Sequence, residues 1–221
     1  MLRHTKKIKE KYEDIQKRLF YMIPEKWEKL YLYASVIDQF QKVQTGELFF
    51  YYIPRGILKK NPVNVYEIPS KFNIEENEYM NVVDMLYESI KSLREEFRTT
   101  GQELWSNITI SIENTKFKIE FNYDKLQGSE YSSYERHIIW RYKYLGLELE
   151  HMNKEERNII KRYLADTQYI KTKVETYEEG IYINDVKNII DYDTETYETN
   201  KNIEYVSDKE NKSNKNQILK Y

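Results

Sequence analysis

From Glu75 to Arg98 the apolar positions Tyr79, Val83, Leu86, Ile90, Leu93 and Phe97 step by four, three, four, three and four, the spacing of one buried stripe on an α-helix. At about 100° per residue, Asn77, Asn81, Asp84, Glu88 and Glu95 fall on the far side and give this helix a polar, mostly acidic outer face. Gly101 stands where a helix end or the following turn would want it. A first helix is predicted over residues 5 to 20, where Ile8, Tyr12, Ile15 and Leu19 recur at helical spacing against lysines and glutamates. Pro24 suits the short turn that follows. A later helix carries Tyr134, Ile138, Tyr142 and Leu145 on its core side and ends near Gly146, and residues 153 to 164 form a short final one.

Between the helices the period changes to two. Lys29 to Ile37 is β-rich, and because Leu30, Leu32, Ala34 and Val36 alternate with Tyr31, Tyr33, Ser35 and Ile37, neither face is wholly polar and the strand reads as central. Thr45-Gly46 punctuates the chain before a second strand, Leu48 to Ile53, which Pro54 ends; residues 63 to 68 read as a third, shorter strand before Pro69. Trp105 to Ile112 and Lys116 to Tyr123 alternate cleanly and, joined by Glu113-Asn114-Thr115, form an antiparallel hairpin with one face on the core and the other wet. Tyrosines 31, 33, 51 and 52 on adjacent strands read as cross-strand packing rather than a base-stacking platform, which would carry surrounding basic charge. The fold class is therefore α+β, an antiparallel β-sheet with flanking α-helices.

The chain has 221 residues, 35 Lys+Arg against 37 Asp+Glu, and no cysteine. A near-neutral balance argues against a phosphate-binding surface, and the missing thiols exclude a disulfide framework or a cysteine nucleophile. No stretch approaches the ~18 apolar residues a membrane span needs, and the charged start is unlike a signal core, so a cytoplasmic protein is expected. Charge is unevenly divided. Residues 166 to 221 hold 8 Lys and 12 Asp+Glu with Tyr177, Tyr182, Tyr192, Tyr197 and Tyr205 interspersed, whereas residues 1 to 165 are slightly basic. Two units are expected: a compact domain over 1–165 and an acidic, Tyr-rich extension over 166–221, disordered or ordered by a partner.

Candidate chemistry is sparse. His4, His137 and His151 show no metal-ligand spacing and read as surface or boundary histidines, and with only 6 glycines the chain has no phosphate loop or nucleophile elbow. No cofactor or metal is expected. Glu75, Glu76 and Glu78 open a helix, where negative charge is favoured. Glu120 and Asp124 could serve a Mg²⁺-dependent hydrolase only if a cleft gathered them. Trp140 falls on the side of its helix away from the predicted core stripe, beside Arg136, Lys143 and Tyr144. Two readings stay open: a neighbouring element covers it, or Arg136, Trp140 and Tyr144 form a protein-binding patch of the hot-spot type.

Several blocks occur in a fixed order: Met22 to Tyr33 (MIPEKWEKLYLY), Phe49-Phe-Tyr-Tyr52, Glu67-Ile-Pro69, Gly101-Gln-Glu-Leu-Trp-Ser-Asn-Ile-Thr-Ile110, Lys116 to Asp124 (KFKIEFNYD) and Tyr134 to Gly146. Over roughly residues 10 to 165 this series resembles the YezG-like immunity-protein (antitoxin) family. The resemblance implies a non-enzymatic cytosolic protein of Gram-positive bacteria that neutralises a cognate nuclease toxin of the type VII secretion system by stoichiometric binding, with no direct nucleic-acid contact. It carries no catalytic residues to transfer. Toxin-contact candidates are Asp84, Glu88 and Glu95, the Arg136, Trp140 and Tyr144 group, or the acidic extension acting as a polyanion. The alternative is an adaptor or chaperone that binds through the extension.

Overall fold

The computed structural model describes residues 5–38, 44–56, 61–113 and 116–166 and, as backbone, 174–179 and 218–219. Helix α1 (Lys6–Tyr21) begins at Thr5, whose hydroxyl accepts from the Ile8 N–H at 3.2 Å, satisfying one of the unpaired amides of the first turn. Strands β1 (Trp27–Ser35), β2 (Ile37–Asp38) and β3 (Gln44–Pro54) follow, then β4 (Val63–Asn64), a 3₁₀ turn over Val65–Glu67, and the helices α2 (Ile68–Phe72) and α3 (Glu76–Thr99). Strands β5 (Asn107–Glu113) and β6 (Lys116–Asn122) precede α4 (Ser133–Leu145) and α5 (Lys154–Asp166); β7 (Val174–Glu179) and β8 (Ile218–Leu219) complete the described elements.

β1 pairs antiparallel with β3 on one side and β5 on the other, so it is central, as its two-faced pattern predicts. Ala34 lies opposite Leu48, and Ile37 and Asp38 opposite Thr45 and Gln44. β2 therefore continues the β1 register after a break at Val36, whose N–H is taken by the Ser106 carbonyl at 2.9 Å. β6 follows β5, and β7 follows β6.

The structure has three layers. On one face of the sheet, Leu30, Leu32, Leu48, Phe50, Ile108, Ile110, Phe117, Ile119 and Phe121 pack against α1 and α3 in one apolar core. All six residues of the predicted α3 stripe are buried there, and Asn77, Asn81, Asp84, Glu88 and Glu95 are exposed. On the other face Tyr31, Tyr33, Phe49 and Tyr51 pack against Trp140 of α4, whose Ile138 and Ile139 cluster in turn with Met152 and with Ile159 and Ile160 of α5.

Four expectations are corrected. The second face of the β5–β6 hairpin is not simply wet, since Thr109 is only 2% exposed beneath α4. Of residues 63 to 68 only Val63 and Asn64 form a strand, β4, paired with β3: the Asn64 side chain accepts from the Tyr66 N–H at 3.1 Å and starts a turn, and Pro69 sits in the first turn of α2, where its missing N–H is not needed. Gly46 does not interrupt the chain but lies inside β3, where Tyr87 approaches the backbone. His137 is no surface or boundary residue; it is buried. His4 lies outside the described residues, and His151 is exposed.

Candidate functional site

α4 is positioned by both of its ends. Ser132 and Glu135 form a reciprocal capping box, the Ser132 hydroxyl accepting from the Glu135 N–H at 3.3 Å and the Glu135 carboxylate from the Ser132 N–H at 2.8 Å; Gly146 closes the helix with φ of 64°. A helix between a sheet and another helix must bury two sides. Accordingly Ile138 and Tyr142 face α5, while His137, Trp140 and Tyr144, at i, i+3 and i+7, turn to the sheet, and Tyr134 is exposed. The predicted stripe thus mixes an exposed residue, Tyr134, with two that face α5 and one, Leu145, that packs on the sheet side, and it leaves out His137, Trp140 and Tyr144.

The contact with the sheet is aromatic and hydrogen-bonded. Trp140 is 4% exposed, donates from Nε1 to the Thr109 hydroxyl at 3.1 Å, and lies 6.0 to 6.4 Å from the rings of Phe49, Tyr51 and Tyr33. Tyr144 donates to Glu120 Oε2 at 2.7 Å. Its ring lies 5.5 Å from Trp140. Arg136 grips Glu47 of β3 with two nitrogens, Nε reaching Oε2 at 3.2 Å, and also donates to the Tyr131 carbonyl at 2.6 Å. The Glu47 side chain is 3% exposed. A charge that far from water needs such a fork-shaped partner.

The electrostatics follow from burial. His137 Nε2 meets the Tyr51 hydroxyl at 2.9 Å and the ring stacks 4.3 Å from Phe49; burial first, and the Arg141 charge second, push its pKa down to about 4, so the imidazole is neutral at physiological pH. Burial and then a hydrogen-bonded carboxylate raise Tyr31 and Tyr144 above the ordinary phenol value of 10 and keep both hydroxyls as donors. Of the two readings for Trp140, a neighbouring element does cover it. Arg136, Trp140 and Tyr144 come together, but against the sheet.

The acidic candidates lie on the opposite layer. Asp84, Glu88 and Glu95 remain on the exposed side of α3; Glu88 pairs with Lys91 at 2.5 Å and Glu95 with Arg98 at 3.3 Å. The same helix is pinned at its C-terminal half by Arg94, buried, which donates to the Trp105 carbonyl and to Asp38 Oδ2, each at 2.8 Å. The only sign of that anchor in the sequence is an arginine one residue after the stripe residue Leu93. The two candidate groups do not form one site.

Catalytic geometry is sparse as well. Glu120 is taken up by Lys118 at 3.0 Å and by Tyr144, whereas Asp124 accepts from Asn107 at 3.5 Å. Among the described residues no group of three or more His, Asp or Glu could hold a metal ion, and no helix is long and apolar enough to cross a membrane.

Comparison with known proteins places this architecture. A family model described as immunity protein YezG-like matches residues 8–160. Immunity protein YezG of Bacillus spizizenii is 34% identical over 169 residues, covering 76% of this chain and 96% of the relative. Immunity protein YezG of Bacillus subtilis is 31% identical over 155 residues, covering 70% and 97%. A Staphylococcus aureus protein named type VII secretion system protein EsaG is 28% identical over 177 residues, covering 79% and 94%. With the matched span running from α1 into α5 and the sequence shared along nearly the whole length of these relatives, the chain belongs to the YezG-like immunity protein family.

Proposed function

We propose that this chain is a cytoplasmic antitoxin that binds a cognate nuclease toxin of a type VII secretion system and holds it inactive by occlusion, without turnover. Membership in an immunity-protein family carries the reading, and the relative named as a type VII secretion system protein supports the secretion context. The exposed acidic side of α3, with Asp84, Glu88 and Glu95, supplies the charge that a basic, DNA-binding cleft would meet. Arg136, Trp140 and Tyr144 contribute from behind, by fixing α4 on the sheet and so the shape of the domain.

The test is co-purification with the product of a neighbouring toxin-like gene, followed by titration of its nuclease activity. Inhibition saturating at equimolar ratio is expected. Charge reversal at all three acids of α3 (D84K, E88K, E95K) should slow association by about tenfold or more at low salt and much less at high salt. A chain that degrades substrate alone, or that inhibits only in catalytic amounts, would overturn the reading.

A further inference from the structure

Beyond the family-matched span the chain returns to the sheet twice, with β8 parallel to β3 at Gly46 and Glu47, and β7 antiparallel to β6 from Phe117 to Asn122. In the second pairing Phe117 lies opposite Glu179, Ile119 opposite Tyr177 and Asn122 opposite Val174. Without β7, β6 would present a row of unpaired N–H and C=O groups, the kind of edge that recruits another chain.

What that edge fits is written in its own sequence, Lys-Phe-Lys-Ile-Glu-Phe-Asn. Set antiparallel against a copy of itself with the dyad at Ile119, the strand is self-complementary: Ile119 meets Ile119, Phe117 meets Phe121, and Lys118 meets Glu120 on both sides of the axis. Directly opposed residues bring their Cβ atoms to ~5 Å, where opposite charges attract and like charges repel. Moving the dyad to residue 118 or 120 sets Lys118 against Lys118 or Glu120 against Glu120. Charge therefore selects one register, and it is an isologous one.

We propose that the β6 edge is a pairing surface for a second copy of this chain, and that β7 occupies it from within and keeps the protein monomeric. Only residues 167–173 separate α5 from β7. A tether that short holds its strand at an effective concentration in the mM range, about a thousandfold above a protein present at micromolar levels. The chain's own strand wins until something weakens it.

The test uses the full chain carrying T176P and Y177P; adjacent prolines remove an amide from β7 on whichever side faces β6. Sedimentation equilibrium should find the parent monomeric at tens of micromolar and the proline variant in a concentration-dependent dimer. Adding K118E sets like charges face to face twice and should weaken the dimer about tenfold or more, whereas K118E with E120K restores complementarity and the dimer with it. Thermal melts check that each variant stays folded, and T176G with Y177G is the milder lesion if the prolines cost solubility. A proline variant that stays monomeric, a dimer indifferent to K118E, or a parent already dimeric would overturn the proposal. So would a proline variant that gains only toxin affinity, since the edge would then belong to the toxin.

Discussion

The Tyr87 hydroxyl donates to the Ser35 carbonyl at 2.8 Å through the space that a side chain on Gly46 would fill. A Cβ there would lie 1.9 Å from the hydroxyl oxygen and 2.0 Å from the Ser35 carbonyl oxygen. Gly46→Ala is expected to destabilise the protein by about 3 kcal/mol, through overpacking and the lost hydrogen bond. Adding Tyr87→Phe should recover only part, because the Ser35 carbonyl is backbone and cannot swing aside. Urea denaturation of both variants measures this; a fully rescued double variant would show the clash to lie with Tyr87 alone.

The Glu47–Arg136 pair should behave as a buried ion pair. Truncating either residue to alanine leaves the other charge stranded and is expected to cost about 3 to 5 kcal/mol, while truncating both costs less than the sum of the two. A double-mutant cycle by chemical denaturation reads the coupling. Additive losses would place the pair in effective contact with water.

His137 sets an acid-sensitive window. Its pKa is about 4 when folded and about 6.5 when exposed, so between those values the unfolded chain binds a proton that the folded chain does not. Stability therefore falls as pH drops from 6.5 towards 4, by about 3 kcal/mol for a shift of this size. Asp14 and Asp38, held below 3.8, and Glu75 and Glu135, held below 4.5, lose their contributions only at lower pH. His137→Gln should flatten the stability profile between pH 5 and 6.5, and an unchanged slope there would assign the proton uptake elsewhere.

Trp140→Ala is expected to unfold or strongly destabilise the protein, by about 3 to 5 kcal/mol, because the indole fills the centre of the second core and satisfies Thr109. Calorimetry distinguishes this from the exposed-anchor reading, under which melting would be unchanged and only partner binding would suffer.

The sequence was most informative where one side of an element meets the core and the other meets water. α3 keeps six stripe residues at steps of three and four, and its acidic side is exposed, so helix and outer face were both readable. The β5–β6 hairpin was readable from its alternation alone, although α4 covers part of its second face at Thr109. α4 was not, because it is buried on two sides: the residues that meet the sheet, His137, Trp140 and Tyr144, are amphipathic and hide in a polar count. Their partners, Tyr31, Tyr33 and Tyr51, gave the matching hint that the sheet's second face was covered, but pairing a helix with a strand about 90 residues away needs three dimensions. Pro69 misled for a local reason, since a proline ends a strand and begins a helix with equal ease. The candidate acids were legible as a surface, whereas the Arg136, Trp140 and Tyr144 group was legible as a cluster but not for the direction it faces.

The two seams of the sheet are chemically unlike. Toward α1 and α3 the join is mostly aliphatic and indifferent to protons; toward α4 it is sewn with a neutral imidazole, phenol hydroxyls and a carboxylate–guanidinium clasp. Acid therefore weakens the second seam and not the first, because the buried imidazole resists the proton that the exposed one accepts. A molecule built this way weakens unevenly as pH falls towards 4, the α4 layer before the α1–α3 layer.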